Sequence, residues 1–351
     1  MNLKIKTCKA AILVKQNSPL IVDQIKFPNK LLFGQVLVKI DISGICGSQI
    51  GEINGAKGED KYLPHLLGHE GSGIVKQIGP GVTKFKEGDR IVLHWKAGSG
   101  IQSKPPIYEW RNHNLNAGWV TTFNSYSIVS ENRCTKIPKE TKPYIGSLLG
   151  CAITTGFGVI ENNAKLKMGE SIVVFGAGGI GLSIIQGALS VSASTIIAVD
   201  IHKNRLQLAK KIGATHVICS YEEDPFEKIE NILGTNKLDV FIDNTGIAKI
   251  IEKGYSIIKN DGRLILVGVP RKGDNINIFS LPLHFGKIIT GSFGGECNPD
   301  EDIPRYLKHI NSNNLNMNHL ISKYFKIEEI NEAIECMQNG ETSGRVLIDF
   351  N

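Results

Sequence analysis

Two arrangements of apolar and polar residues follow one another along this chain of 351 residues. Up to about residue 138, short β-rich runs such as 36–40, 73–78 and 90–93 are separated by Gly, Pro and Asp. Runs of this length between turn-forming residues are typical of β-strands joined by tight turns. The pattern therefore predicts a compact, mostly antiparallel β domain that begins near residue 10.

From about residue 154 to residue 291, apolar runs of strand length alternate with segments of helical periodicity. Strands are predicted at 171–175, 195–199, 216–218, 239–243 and 263–267, and helices at 180–189 and 203–212. Such alternation is typical of a parallel sheet with helices on both faces. The run 344–350 predicts an amphipathic strand that returns to the first domain and makes that domain discontinuous.

Composition and charge narrow the class of protein. The 40 basic and 34 acidic side chains leave a formal charge of +6, and no basic block indicates nucleic-acid binding. No apolar run has the length of a signal peptide core or a membrane span. The seven cysteines are odd in number and scattered, which argues for free thiols. We therefore expect a cytoplasmic protein with neither a nucleic acid nor a membrane as partner.

A glycine-rich turn, Gly176-Ala177-Gly178-Gly179-Ile180-Gly181, separates the predicted strand at 171–175 from the predicted helix at 180–189. Glycines at its first, third and sixth positions allow a tight turn, a close approach of backbone to a pyrophosphate, and close packing of helix on strand. The helix N-terminus adds N–H groups and a positive dipole. The context predicts a dinucleotide site, with a purely structural turn as the alternative.

Asp200 ends the next predicted strand, near the position where a dinucleotide fingerprint has its acidic residue. Its carboxylate can accept hydrogen bonds from the ribose hydroxyls and would repel a 2′-phosphate, which favours NAD over NADP. Two alternatives stay open. The cations Lys203 and Arg205 could tolerate a 2′-phosphate, and Asp200 could be a helix cap.

Three separated segments carry soft or borderline metal ligands: residues 44–48 (GICGS), 68–70 (GHE) and 148–151 (LLGC). Their candidate ligands are Cys46, His69 and Cys151. Spacing alone does not predict a metal site, because a single cysteine is more often a small buried apolar residue. A metal beside a nicotinamide would indicate alcohol or carbonyl redox chemistry.

Over nearly its whole length the chain resembles the zinc-dependent medium-chain alcohol and polyol dehydrogenases. The resemblance rests on residues 34–38 (GQVLV), 44–48, 68–70, 88–90 (GDR), 151–156 (CAITTG), the glycine-rich turn and 343–345 (SGR). It implies an α/β protein with a GroES-like β-rich catalytic domain and a doubly wound Rossmann nucleotide-binding domain. The expected domains are 1–152 together with 293–351, and 153–292.

The resemblance also implies roles for individual residues. Cys46, His69 and Cys151 would hold one catalytic zinc ion with an open fourth position. Glu70 would lie beside the ion or take the place of Cys151 as a ligand. Ser48 would relay the proton of the alcohol and contact the substrate. Trp95 would contact the substrate as an aromatic wall of its pocket. Besides the glycine-rich turn and Asp200, the implied cofactor contacts are Thr155, Arg205, Val267, Val269 and Arg345.

The chain departs from this family in two places. Many relatives hold a structural zinc with four closely spaced cysteines, but no cysteine stands between His94 and Arg133, which excludes that site on ligand count. Relatives with a full proton relay have a histidine where this chain has Gly51, so the proton route beyond Ser48 stays open. Loop 94–116 carries polar and cationic groups beside two tryptophans, which favours a polyol, sugar-like or anionic substrate over a simple aliphatic alcohol. The equally good alternative is that the loop is a solvated surface loop.

The sequence therefore predicts a zinc-dependent oxidoreductase that transfers hydride between NAD and an alcohol, polyol or sugar-like hydroxyl, or the matching carbonyl. One alternative is a zinc-free quinone or enone reductase of the same superfamily. Another is a non-catalytic NAD-binding protein. The resemblance further implies a homodimer or homotetramer.

Overall fold

The computed structural model describes residues 3–56 and 58–351 and contains three β-sheets. Its strands are β1 (Thr7–Leu13), β2 (Ile21–Lys26), β3 (Gln35–Ile45), β4 (His65–Leu66), β5 (Glu70–Ile78), β6 (Arg90–His94), β7 (Tyr108–Trp110), β8 (His113–Leu115), β9 (Tyr126–Ser130), β10 (Cys134–Lys136), β11 (Ser171–Phe175), β12 (Thr195–Asp200), β13 (His216–Cys219), β14 (Leu238–Asp243), β15 (Ile258–Leu266), β16 (Ile288–Gly291), β17 (Ile321–Phe325) and β18 (Arg345–Asp349).

The α-helices are α1 (Gly47–Ile53), α2 (Pro143–Leu149), α3 (Ala152–Gly158), α4 (Gly179–Ser190), α5 (Lys203–Lys211), α6 (Pro225–Leu233), α7 (Ala248–Ile257), α8 (Pro299–Ser312) and α9 (Ile330–Gln338). A π-helical segment, Val159–Ala164, continues α3. Short 3₁₀ helices span Glu131–Arg133, Leu281–Phe285, Gly294–Glu296, Met317–Leu320 and Ile327–Glu329.

Two sheets form the β-rich part of the molecule. One has the strand order β4-β1-β2-β7-β8, and the other has the order β10-β6-β5-β3-β18-β17, with β9 paired to β3. All of these pairs are antiparallel except β17 with β18. The predicted strands at 36–40, 73–78 and 90–93 lie in β3, β5 and β6, so the antiparallel prediction is confirmed.

The third sheet is parallel throughout, with the order β13-β12-β11-β14-β15-β16. Its central strand β11 is buried along its whole length because both faces are covered. Ile172 and Val174 pack on one side with Leu182 of α4, while Val173 and Phe175 pack on the other with residues of α6 and α7. The predicted alternation of strands and helices is therefore confirmed.

Strand β18 corrects one expectation about the end of the chain. Its residues from Arg345 to Ile348 are all buried, so the strand is not amphipathic. The reason is its position, because β18 lies inside its sheet, antiparallel to β3 on one side and parallel to β17 on the other. A second, smaller correction concerns the strand predicted at 263–267, which begins earlier and ends at Leu266.

Helix length and polarity bear on whether the chain could span a membrane. Among the described residues, no single helix is both long and apolar enough to cross one. The two helical segments Pro143–Leu149 and Ala152–Ala164 reach the length and apolar composition of a membrane span only when they are counted together. A bend of 49° separates them. Most residues of this pair are buried inside the protein.

A close approach between α3 and α4 gives a test of the fold. A Cβ atom added at Gly156 would lie 2.5 Å from the Cβ of Ser183 and 2.9 Å from the backbone nitrogen of Ile184. We expect Gly156→Ala to lower the free energy of unfolding by about 1–3 kcal/mol, because the two helices must separate. Gly291→Ala is the matched control, since no atom lies within 4 Å of its added Cβ. Urea unfolding curves that coincide for the two variants would contradict the packing described here.

Candidate active site

Cys46, His69 and Cys151 are brought together by three chain segments that end or begin at secondary structure. Cys46 follows β3 and precedes α1, His69 immediately precedes β5, and Cys151 stands between α2 and α3. Their potential ligand atoms all lie within 4.8 Å of one another. The chain therefore places two sulfur atoms and one imidazole nitrogen around a common point.

The donor set fits a zinc ion. The Nε2 atom of His69 is buried and has no hydrogen-bond partner within the described structure, so it is free to ligate. Thiolate and imidazole are the ligands that zinc prefers in proteins. A hydrogen bond from Cys151 holds the pKa of the Cys46 thiol well below its usual range, despite burial, and the nearby Arg345 adds to this effect. Cys46 is thus disposed to the thiolate form that binds metal.

Glu70 lies beside this cluster but faces a different partner. Its carboxylate is fully buried, and its Oε1 lies 3.0 Å from Nε of Arg345, which is itself 4% exposed. The second guanidinium nitrogen, Nη2, donates to Oε2 of Glu70 at 3.4 Å. Burial raises the pKa of the Glu70 carboxyl to about 7, although Arg345 opposes that shift. The structure groups Cys151, rather than Glu70, with Cys46 and His69.

Glycine residues make room for this arrangement. A Cβ atom at Gly44 would collide with the carboxylate of Glu70, and one at Gly150 would lie 3.0 Å from its Cβ. Gly68 has φ +89°, and its added Cβ would lie 2.7 Å from the backbone nitrogen of Phe123. The side chain of Gln49 accepts a hydrogen bond from the Gly68 N–H. The turn that presents His69 is therefore held in one conformation.

The glycine-rich turn joins β11 to α4, as predicted. Gly178 is the N-cap of α4, and Gly176 has φ +97°, a conformation that glycine adopts without strain. A Cβ atom at Gly181 would collide with the carbonyl oxygen of Gly176, so helix and turn pack closely. Arg345 reaches this turn, because its Cζ would lie 3.2 Å from a Cβ atom added at Gly179. One guanidinium therefore adjoins both the turn and Glu70.

Asp200 is the last residue of β12 and lies directly beneath the turn. Its Oδ2 accepts a hydrogen bond from the Ala177 N–H at 2.8 Å, and its Oδ1 accepts one from the His202 N–H at 2.9 Å. Nη1 of Arg205 lies 3.8 Å from Oδ1, while its Nε donates to the Thr342 carbonyl at 3.2 Å. These contacts orient the carboxylate without occupying all of its lone pairs.

The remaining predicted residues lie in or just after several strands and helices. Ser48 is half-buried in the first turn of α1, and Thr155 is buried in α3. Val267 and Val269 follow β15 directly, and Val269 is exposed. Ile180 lies in the first turn of α4, and Trp95 follows β6.

Loop 94–116 is engaged in internal contacts that its composition did not predict. Part of it forms the hairpin β7–β8, where Trp110 is buried and donates to Asp23 at 2.9 Å. Arg111 also pairs with Asp23, and Nζ of Lys96 donates to the Phe293 carbonyl at 3.0 Å. These groups therefore serve the fold, and they give less support to an anionic substrate than the sequence suggested.

Sequence reasoning missed three participants. The Arg345–Glu70 ion pair joins residues from opposite ends of the chain, and no local pattern indicates it. Gln49 looks like an ordinary helix residue. Phe293 packs edge-on against Trp95 with ring centroids 5.0 Å apart, and it had no periodic signal. Each of these contacts exists only after distant segments are brought together.

Comparisons with known proteins agree with this geometry. The family model described as "Alcohol dehydrogenase GroES-like domain" matches residues 33–139, and the one described as "Zinc-binding dehydrogenase" matches residues 179–312. The chain is 31% identical to "Alcohol dehydrogenase 6" of Peromyscus maniculatus over 98% of both chains. It is 29% identical to an S-(hydroxymethyl)glutathione dehydrogenase of Haemophilus influenzae, over 99% of this chain and 98% of that protein.

Two solved structures share the whole fold. Benzyl alcohol dehydrogenase from Acinetobacter calcoaceticus has 29% identity and a TM-score of 0.88, covering 99% of this chain and 100% of that one. An alcohol dehydrogenase zinc-binding domain protein from Burkholderia ambifaria has 27% identity and a TM-score of 0.89, covering 99% of each chain. The likeness therefore extends over both halves of the molecule.

The buried ion pair generates a prediction about stability. At pH 8 the Glu70 carboxyl, with its pKa of about 7, is ionised. Arg345→Met should then lower the free energy of unfolding by about 3–5 kcal/mol, because a buried carboxylate loses its counter-charge. Adding Glu70→Gln should recover part of this loss. Urea unfolding in the presence of a chelator measures both changes, and equal losses in the single and double variants would contradict the pairing.

Proposed function

Because this chain belongs to the zinc-dependent medium-chain alcohol dehydrogenase family, we propose that it transfers hydride between NAD and an alcohol, polyol or sugar-like hydroxyl, or the matching carbonyl. The observation that carries the proposal is the convergence of Cys46, His69 and Cys151 with an unpartnered His69 Nε2. A quinone or enone reductase without zinc would have no use for these three donors, and neither would a protein that only binds NAD.

In this proposal Cys46, His69 and Cys151 hold a single catalytic zinc ion. When bound there, zinc supplies Lewis acidity that lowers the pKa of a substrate hydroxyl and polarises a carbonyl. Glu70 is not a ligand in this arrangement, because its carboxylate is turned to Arg345. Its role is to hold that guanidinium in place beside the metal cluster.

The glycine-rich turn and Arg345 would bind the pyrophosphate of the cofactor. The first N–H groups of α4 and the guanidinium beside Gly179 offer positive charge to an anion at the same place. Thr155, Val267 and Val269 would flank the nicotinamide. Arg345 also contacts Glu70, which lies beside the proposed zinc ligands. The same side chain would therefore help to position both the pyrophosphate and the zinc site.

NAD is proposed over NADP because of Asp200. Two backbone N–H groups hold its carboxylate, and its other lone pairs remain for the ribose hydroxyls. The nearby cation of Arg205 does not point freely toward a 2′-phosphate, since it is drawn to Asp200 and to the Thr342 carbonyl. A negative charge beside Asp200 would therefore be repelled.

Ser48 and Trp95 are proposed to contact the substrate. Ser48 would take the proton of the hydroxyl, and Gly51 offers no side chain to pass it on. The Trp95 ring and the exposed ring of Phe293 form an aromatic pair, which suits the apolar face of a carbon skeleton. The substrate is therefore proposed as a neutral hydroxylated compound.

The proposal includes the division of the chain and its assembly. A catalytic domain of 1–152 with 293–351 and a nucleotide-binding domain of 153–292 are supported by the pairing of β18 with β3. The exposed edge strand of the parallel sheet, with apolar side chains near it, supports a homodimer or homotetramer. There β16 is the last strand, and Phe279, Leu281, Phe285 and Ile288 are exposed nearby.

The zinc assignment predicts a specific loss on mutation. Cys151→Ala should lose the catalytic zinc and lower kcat/KM by at least about a hundredfold, because Lewis acid stabilisation is worth several kcal/mol. Cys134→Ala is the matched control, since this cysteine is also fully buried but lies outside the cluster. Zinc analysis and NAD reduction over a panel of alcohols, polyols and sugars provide the measurements. Full turnover by zinc-free Cys151→Ala would refute the assignment.

The cofactor assignment predicts a change in nucleotide preference. The intact protein should use NAD in preference to NADP, and Asp200→Ala should lower kcat/KM for NAD by about 10–100-fold, because a charged hydrogen-bond acceptor is lost. Asp261→Ala, which removes an exposed carboxylate, should leave the preference unchanged. Steady-state rates with both nucleotides test this. Preference of the intact protein for NADP would contradict the role of Asp200.

A further inference from the structure

Glu52, Asp60 and His65 form a second group of potential ligands outside the cysteine cluster. Glu52 lies in the last turn of α1, Asp60 in the loop that follows, and His65 at the start of β4. Their ligand atoms all lie within 4.8 Å of one another. The His65 and Asp60 side chains are 8% and 9% exposed, and Glu52 stands at the rim with 32% exposure.

The orientation of His65 indicates what faces the two carboxylates. Its Nδ1 lies 3.0 Å from the Leu66 carbonyl oxygen, which can only accept a hydrogen bond, so Nδ1 carries the hydrogen. Its Nε2 lies 2.6 Å from Oδ2 of Asp60, a hydrogen-bonding distance, and 4.0 Å from Oε1 of Glu52. In the ring with a hydrogen on Nδ1 alone, Nε2 and both carboxylate oxygens are acceptors. A positive charge, either a proton on Nε2 or a metal ion, must therefore lie between them.

Groups outside the trio hold the carboxylates in this orientation. The Tyr62 N–H donates to Oδ1 of Asp60 at 2.9 Å, which leaves Oδ2 turned to His65. Similarly, Nε2 of Gln49 donates to Oε2 of Glu52 at 3.2 Å, which leaves Oε1 turned to His65. Each potential ligand is thus oriented by a donor or acceptor of its own, as is usual around bound metal ions.

Charge balance distinguishes a metal ion from a proton at this point. A protonated His65 between two carboxylates would leave the trio with a net charge of −1, whereas a divalent cation leaves it neutral. Partly buried groups favour the neutral combination. Bonds of about 2.1 Å to a tetrahedral ion would separate the ligand atoms by about 3.4 Å. The Asp60–His65 pair would therefore open by less than about 1 Å.

We propose that Glu52, Asp60 and His65 form a second metal site that binds a divalent cation of the zinc class. One imidazole with two carboxylates is a ligand set of zinc and of other first-row cations. The site differs from the Cys46, His69 and Cys151 cluster in residues and in ligand chemistry. It does not depend on the proposed dehydrogenase activity, and its ion would be additional to the single catalytic zinc.

The position of the site indicates what the ion would do. The Gln49 side chain donates a hydrogen bond to Glu52 and accepts one from the N–H of Gly68, the residue before His69. An ion at Glu52, Asp60 and His65 would therefore tie the end of α1 and the loop before β4 to the turn that presents His69. This is a stabilising role in a chain without the four-cysteine lobe.

Zinc binding to five proteins, the intact chain and four variants of it, tests the proposal. After chelation and equilibrium dialysis against zinc, the intact chain should hold two ions. Cys151→Ala and His65→Gln should each hold one, and the double variant should hold none. His284→Gln, which changes an exposed histidine, should still hold two. Failure of the catalytic site would appear in Cys151→Ala, and failure of this site in His65→Gln, so the two proposals are tested separately.

A substitution of Glu52, at the exposed rim of the site, tests the proposal if His65→Gln does not fold. Glu52→Gln should weaken binding of the second zinc ion at least about tenfold, because a charged ligand is lost. In the Cys151→Ala background, zinc should raise the thermal unfolding midpoint, and Glu52→Gln should reduce that rise. One zinc ion in the intact chain that both substitutions leave in place, or a second ion unaffected by both substitutions, would overturn the proposal.

Discussion

The buried ion pair between Arg345 and Glu70 is the contact on which the rest of the site depends. Arg345 lies in β18 and Glu70 in β5, and both of these strands pair with β3 within one sheet. The guanidinium also donates to the carbonyl of Ile45, the residue before Cys46, at 3.3 Å. Because an unpaired buried charge is costly, neither side chain can be buried unless these strands are assembled. The pair therefore ties the proposed metal site and the proposed nucleotide site to the completed fold.

Glycine residues, which have no side chain, leave the space that the Arg345–Glu70 ion pair occupies. Gly44 and Gly150 press against Glu70, Gly179 adjoins Arg345, and Gly68 sets the turn before His69. A Cβ atom at Gly44 would collide with Glu70, one at Gly150 or Gly179 would crowd Glu70 or Arg345, and one at Gly68 would collide with Thr122 and Phe123. The motifs that first indicated a function are thus also packing motifs. Their glycines let the backbone close around charged and metal-ligating side chains.

Much of the fold was predictable because local patterns decide it. The strands and helices around the glycine-rich turn were predicted nearly to their ends, since a buried parallel strand and its following helix have strong local signals. The amphipathic prediction for 344–350 was wrong because burial on both faces depends on β3 and β17. The cations of loop 94–116 suggested a substrate surface, but Asp23 and the Phe293 carbonyl engage two of them.

The sequence by itself determined the class of chemistry. A strand, a glycine-rich turn, a helix and Asp200 are contiguous enough to be interpreted locally, and the cysteine and histidine motifs resemble those of one enzyme family. Only the tertiary structure decided which side chains meet. It placed Cys151 with Cys46 and His69, turned Glu70 to Arg345, and gathered Glu52, Asp60 and His65. The physical reason for the first two is that these contacts join residues far apart in the chain, which strand pairing brings together. Glu52, Asp60 and His65 are close in sequence, but they lie in a helix, a loop and a strand whose relative positions only the fold sets.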